Sequence, residues 1–82
     1  MAVFLGVHKI SEGMDETKIV EGWENYKKSA SEMGLKPLSA VVSIEKGFAH
    51  CQTEADSADQ VRKAHENVAI PLEDVVEVKP LQ

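Results

Sequence analysis

The sequence predicts an α+β domain whose six elements run in the order β-α-β-β-α-β. Three patterns indicate this order: two segments with apolar residues at helical spacing, two neighbouring strand-like segments joined by a short turn, and a short apolar segment near each end. On a chain of 82 residues this order is typical of the ferredoxin-like arrangement, a four-stranded antiparallel sheet with two helices on one face. We therefore predict a single ferredoxin-like domain over residues 1–82.

The first strand and the first helix have different patterns. The segment AVFLGVH at residues 2–8 is a short apolar run with few helix signals, which we interpret as a strand. Asp15 suits the N-cap of the helix that follows. Gly34 suits its C′ position, where a left-handed backbone costs other residues a steric clash. The apolar face of this helix recurs at steps of three and four through Ile19, Trp23, Tyr26, Ala30 and Met33.

The second and third strands form a predicted hairpin. The segment LSAVVSIE at residues 38–45 alternates, with Leu38 and Val42 on one side and Val41 on the other. The turn EKG follows, since its glycine can take a positive φ, and FAHCQTEA at residues 48–55 returns as the partner strand.

The second helix and the last strand complete the fold. Ser57 suits the N-cap of the helix, and Gln60 three residues later completes a capping box. Pro71 interrupts the chain, and VVEVK at residues 75–79 is the last strand. The inward face of the helix carries Ala58, Val61, Ala64, His65 and Val68.

Composition and charge limit the classes of partner and the cellular location that we expect for the protein. The net charge of −5 argues against nucleic acid, because affinity for phosphates needs clustered Lys and Arg. The apolar run AVFLGV ends at His8 and is too short for the core of a signal sequence or for a membrane span. One cysteine forms no internal disulfide. We expect a soluble cytoplasmic protein with a reduced thiol.

The open face of the sheet predicts a homodimer. Two helices cover one face only, yet the first strand has apolar residues at both parities, and Val41 adds another on the uncovered side. Strands that are apolar on both faces are usually buried on both. We therefore expect two-fold self-association through the open sheet face, with ordinary apolar exposure as the alternative.

His50 and Cys51 are adjacent in the third strand and must point to opposite faces. Cys51 shares its parity with the small side chains of Ala49 and Thr53, which suits packing under helices. We predict that Cys51 faces the helices and that His50 faces away, so the two residues do not form one motif.

A metal site is one interpretation of the remaining histidines. Cys51 and His65 should lie at similar heights, each about 10 Å along its element. His8 lies near the end of a neighbouring strand, and its parity partners Phe4 and Gly6 leave its direction undecided. If it turns towards the helices, His8, Cys51 and His65 converge. Imidazole and thiolate ligands suit zinc, nickel or copper, and so few ligands would make an exchangeable site.

Each of these residues also has an interpretation without a metal. A buried cysteine is most often a small apolar side chain, and a buried histidine can simply hydrogen-bond to the backbone. A thiolate nucleophile would need an exposed thiol in an electropositive cleft, whereas Cys51 lies in the middle of a strand of an acidic chain. The sequence gives no clear sign of an enzyme.

Several short segments support a resemblance over nearly the whole chain: Phe4, VH at 7–8, GM at 13–14, Cys51, TEA at 53–55, VRKAH at 61–65 and PLEDVVEV at 71–78. In their order and spacing the chain resembles a group of small bacterial ferredoxin-like proteins of unassigned function, described in part as nickel-binding. The resemblance implies a dimer that binds Ni²⁺ or a similar divalent transition metal through His8 and His65, with Cys51 as the strand cysteine.

One segment departs from the pattern of that group. The loop before the last strand often reads Gly, then an aromatic residue or His, then Pro, whereas here it reads Ala69-Ile70-Pro71. A ligand from a loop histidine would therefore be absent, which affects the expected affinity and selectivity for nickel.

Three hypotheses follow. The first is a small dimeric metal-binding protein, whose affinity should weaken as the pH falls through about 6.5 because a ligating imidazole must be neutral. The second is a dimeric α+β barrel that binds or transforms a small organic ligand in a cavity lined by His8, Trp23, Tyr26 and His65, where a histidine could act as general base. The third is an interaction module without a small ligand.

Overall fold

The computed structural model describes residues 1–81 and confirms the predicted architecture. The antiparallel sheet has the strand order β2-β3-β1-β4, and two helices pack on one of its faces. Over the described residues, neither helix combines the length and the apolar character needed to cross a membrane. The elements are β1 (Ala2–Lys9), α1 (Glu16–Glu32), β2 (Lys36–Ser43), β3 (Phe48–Ala55), α2 (Ala58–Glu66) and β4 (Asp74–Val78).

The strand register assigns each side chain to a face of the sheet. Phe4 pairs with Thr53, and Gly6 pairs with Cys51. Along β3 burial alternates from one residue to the next, so that Cys51 and Thr53 are buried beneath the helices while His50 lies on the other face. The predicted directions of Cys51 and His50 are both confirmed.

Polar side chains begin both helices. The Asp15 carboxylate accepts the backbone N–H of Lys18 at 2.9 Å, and the Ser57 hydroxyl accepts that of Gln60 at 3.3 Å. The Gln60 side chain accepts from the N–H of Asp56 at 2.9 Å. The reciprocal bond of the predicted capping box therefore reaches one residue further back than expected.

Both helices end with the chain in a left-handed conformation. After α1 this residue is Gly34, with φ of 79°, as the sequence predicted. After α2 it is Ala69, with φ of 56°, a conformation that is uncommon for a residue with a Cβ atom. There the backbone N–H of Ile70 donates to the carbonyl of His65 at 3.0 Å, which closes a Schellman-type turn.

Strand β2 differs from the predicted segment 38–45. It starts two residues earlier and ends at Ser43, because the N–H of Gly47 donates to the Ser43 carbonyl at 2.8 Å and closes the turn there. The pairing with β3 also shifts between Pro37 and Ser39. This irregularity lies at the start of the predicted alternation, so the sequence pattern did not show it.

The core between the helices and the sheet holds two polar links. The hydroxyls of Tyr26 and Thr53 lie 2.6 Å apart and join α1 to the sheet. The Ser29 hydroxyl donates to the carbonyl of Ala64 at 2.8 Å and joins the two helices. These bonds fix α1 and α2 over the sheet, where the ring of Tyr26 stacks on that of His65 with centroids 4.0 Å apart.

Candidate metal centre

Three side chains from three elements converge beneath the helices: His8 from β1, Cys51 from β3 and His65 from α2. The Cys51 Sγ lies 3.5 Å from the Nε2 of His8 and 3.5 Å from the Nε2 of His65. One ligand atom from each residue lies within 4.8 Å of the other two, and this group could hold a metal ion. The direction of His8, which the sequence left undecided, is therefore towards the helices.

Backbone carbonyls fix the orientation of both imidazole rings. The Nδ1 of His8 lies 3.1 Å from the carbonyl oxygen of Pro71, and the Nδ1 of His65 lies 2.8 Å from that of Val61. A carbonyl only accepts, so each neutral ring carries its hydrogen on Nδ1. Each Nε2 then presents a lone pair to Cys51. A histidine that binds a metal through one ring nitrogen is usually held in place by such a hydrogen bond from the other.

The turn after α2 builds one of these supports. Helix α2 places His65 in its last turn, and the left-handed Ala69 reverses the chain behind it. The segment then runs past the end of β1, so that the Pro71 carbonyl reaches His8. The loop that lacks a histidine thus contributes to the cluster through its backbone.

Gly6 makes room for the cluster, a role that was not predicted from the sequence. It pairs with Cys51 in the sheet, and a Cβ atom on it would lie 2.8 Å from the Cys51 Sγ and 3.5 Å from Cε1 of His65. Glycine inside a strand often marks such a close approach, and this signal was available in the run AVFLGVH.

Burial keeps the cluster neutral. Desolvation lowers the pKa of His65 to about 4, although the hydrogen bond that its Nδ1–H donates to the Val61 carbonyl acts in the opposite direction. Desolvation also lowers the pKa of His8. Desolvation raises the pKa of the Cys51 thiol to about 11. At neutral pH the site therefore holds two neutral imidazoles and a thiol. The buried thiol is not the exposed thiolate that nucleophilic catalysis requires.

A cavity of about 410 Å³ opens beside the cluster. It lies between the first half of α1 and strands β1, β2 and β3, and its lining is mainly apolar. The four residues of the cavity hypothesis all line it, together with Cys51: His8, Trp23, Tyr26 and His65. The structure therefore brings the two candidate sites together as neighbouring parts of one region.

Comparisons with known proteins bear on the fold. No protein-family model matches the chain, and no curated protein matches it. Among solved structures, the chain is similar to the protein SCO4226 of Streptomyces coelicolor A3(2), with a TM-score of 0.86 and 22% sequence identity over 99% of each chain. At this identity the likeness supports the ferredoxin-like fold alone.

Proposed function

We propose that this protein binds a late first-row transition-metal ion through the Nε2 atoms of His8 and His65 and the Sγ of Cys51. One observation carries the proposal. Two imidazole lone pairs face a single thiol, which has one hydrogen to donate. One of the two acceptors is therefore left without a hydrogen from the thiol, and a bound cation would satisfy both nitrogens and the sulfur together.

The spacing of the three ligands supports the proposal. In a tetrahedral site with metal–sulfur bonds of about 2.3 Å and metal–nitrogen bonds of about 2.0–2.1 Å, sulfur and nitrogen lie about 3.6 Å apart. Both Sγ–Nε2 distances in the protein are 3.5 Å. An ion would thus match these two edges of a tetrahedron.

The donor set restricts the ion to a few metals. Two imidazoles and one thiolate suit Ni²⁺, Cu²⁺ or Zn²⁺ better than Mg²⁺ or Ca²⁺, which prefer oxygen ligands. Nickel is the ion that the sequence resemblance implies. Three protein ligands leave a fourth position free, which is typical of exchangeable or reactive sites.

Titration with Ni²⁺ tests the proposal. The untagged protein should bind one ion per chain, and His8→Ala or His65→Ala should weaken binding by about 100-fold or more, because each leaves only two protein ligands. His50→Ala is the matched control, since His50 lies on the other face of β3, and it should bind like the native chain. Equal Ni²⁺, Cu²⁺ and Zn²⁺ binding by the native protein and a His8/His65 double variant would refute the site.

We further propose that the chain forms a homodimer through the open face of the sheet. This face carries exposed apolar side chains on β2, β3 and β4, namely Val41 at 62%, Phe48 at 37% and Val76 at 39% exposure. Burying them would remove apolar area from water, the main driving force of association.

The mass in solution tests the dimer. Light scattering should return twice the chain mass, and Val41→Lys should shift it towards the monomer. Val20→Lys, at an exposed valine of helix α1, is the matched control and should leave the mass unchanged. A monomer mass for the native chain at micromolar concentrations would contradict the proposal.

A further inference from the structure

We infer that the cavity beside the cluster binds a small carboxylate with an apolar body, and that its carboxylate group occupies the free coordination position of the ion. This inference rests on the proposed function. It assigns a ligand class to the site: an amphipathic organic acid whose head meets the metal and whose body lies against α1.

The size and lining of the cavity suit such a body. Its volume of about 410 Å³ falls in the usual range for small-ligand sites, roughly 300–1,000 Å³. Met14, Ile19 and Trp23 line it from the side of α1, and Val42 and Ala49 line it from the sheet. An apolar chain placed here would leave water without leaving polar wall groups unpaired.

The cluster is reached from this cavity. His8, Cys51 and His65 all belong to the cavity lining, and of the three only His8 is partly exposed. The opposite side of the cluster is closed, since the space next to Gly6 is filled by Cys51, Leu72 and His65. A fourth ligand must therefore come from the cavity side.

The charges of the region select an anion. A divalent ion held by one thiolate and two neutral imidazoles keeps one positive charge in a mostly buried site. Among the described residues, no acidic side chain lines the cavity, whereas Lys9 and Lys18 do. A carboxylate would neutralise the remaining charge, which a buried site otherwise holds at a cost.

Octanoate is the probe, and the single tryptophan is the reporter. Trp23 lines the cavity, so its fluorescence should change when the probe binds. The protein is loaded with Zn²⁺, its metal content is measured, and octanoate, acetate and octan-1-ol are titrated into the loaded and the metal-free forms. Acetate has the head without the body, and octan-1-ol has the body without the charge.

We expect octanoate to bind the Zn²⁺-loaded protein about tenfold more tightly than it binds the metal-free protein. It should also bind the loaded protein about tenfold more tightly than octan-1-ol does. Acetate should bind about 100-fold more weakly, because it lacks the apolar body. Val42→Phe should reduce octanoate affinity by filling the cavity while keeping the Zn²⁺ content unchanged. Lys18→Met should reduce the octanoate affinity roughly two- to fivefold. Lys28→Met is the control, because Lys28 is an exposed lysine of the same helix outside this cavity, and it should leave the affinity unchanged.

The outcomes separate this inference from the proposed function. The inference alone would be overturned if the protein binds Zn²⁺ but octanoate binds the loaded and metal-free forms equally. It would also be overturned if Val42→Phe leaves the octanoate affinity unchanged. A protein that retains no metal would overturn the proposed function, and the inference with it.

Discussion

At the residue scale, the chemistry of the cluster depends on which atoms carry hydrogen. The lowered pKa values of His8 and His65 leave both imidazoles neutral and ready to bind at neutral pH. Burial raises the pKa of Cys51 to about 11, so the thiol keeps its proton until an ion displaces it. The proton that competes with the metal therefore belongs to the cysteine.

Metal uptake should release about one proton per ion at pH 7–8, and Cys51→Ser should abolish this release. As the pH falls, affinity should decrease about tenfold per pH unit already above pH 7, because the thiol must lose its proton. The histidines should compete for protons only at their lowered pKa values, about 4 for His65, and not at the ordinary value of about 6.5 that the sequence led us to expect. Calorimetric titration in buffers of different ionisation enthalpy measures the proton count. A count of zero for the native protein would show that the thiolate is not a ligand.

Gly6→Ala should damage the cluster directly. The new Cβ atom would lie 2.8 Å from the Cys51 Sγ and 3.3 Å from Leu72 Cδ2, so the sulfur or the strand must move. We expect a loss of about 1–3 kcal/mol of stability from overpacking, and weaker metal binding in the chain that still folds. Urea denaturation and metal titration measure the two effects.

Gly22→Ala is the control for this substitution. Gly22 lies inside α1, where an added Cβ atom would have 3.9 Å to its nearest neighbour, Ile70. Because glycine is unfavourable in a helix, this change should stabilise the protein by about 0.5–1 kcal/mol and keep the metal affinity. Equal metal affinity in Gly6→Ala and the native chain would show that the close approach of β1 is unimportant for the site.

Strand parity shows why some of these residues were predictable and others were not. His50 and Cys51 could be assigned to opposite faces because adjacent strand residues always diverge. The direction of His8 depends on the register of β1 and on the carbonyl of Pro71, which lies 63 residues away in the sequence. No local pattern contains that contact, so the third ligand could only be placed by the folded chain.

At the element scale, the end of α2 carries an unfavourable residue. Ala69 adopts φ of 56° at the position where α1 has Gly34. Ala69→Gly should raise the free energy of unfolding by about 0.5–1 kcal/mol, since the relief of the Cβ clash exceeds the added entropy of the unfolded chain.

Gly34→Ala is the matched change at the other helix end, and it should lower stability by about 1 kcal/mol. Urea denaturation of both variants measures the pair. A loss of stability in Ala69→Gly would mean that the alanine methyl group makes contacts worth more than its strain.

The elements themselves were largely predictable, but their limits were not. Both helices could be predicted from their apolar periodicity and their N-caps. Caps such as Asp15 and Ser57 are local signals, because their side chains bond to the first turn of their own helix. The end of β2 was misplaced because the alternation of apolar residues continues into the turn before Gly47. A pattern of side chains cannot show where the backbone bonds stop.

At the scale of the whole molecule, stability should depend on pH through the buried cluster. His65 takes up a proton near pH 6.5 when unfolded and near pH 4 when folded. Between these values the unfolded chain binds more protons, so the unfolding free energy of the metal-free protein should fall as the pH is lowered from 6.5 to 4, by roughly 3 kcal/mol.

Below pH 4 the contribution of His65 to the free energy of unfolding should level off, because this residue is then protonated in both the folded and the unfolded chain. Urea denaturation across this range, compared with His65→Leu, isolates the effect, because the contributions of the carboxylates cancel in the difference. Parallel profiles for the two proteins would show that the buried imidazole does not oppose acid unfolding.

The strand order β2-β3-β1-β4 also affects how fast the chain folds. Only the β2–β3 pair is a local hairpin, because the inner strand β1 pairs with β3 and β4 from the second half of the sequence. Closing these long loops costs chain entropy before the new contacts compensate for it. Refolding, followed by Trp23 fluorescence after dilution from urea, should therefore be slower than that of a helical bundle of similar length and stability.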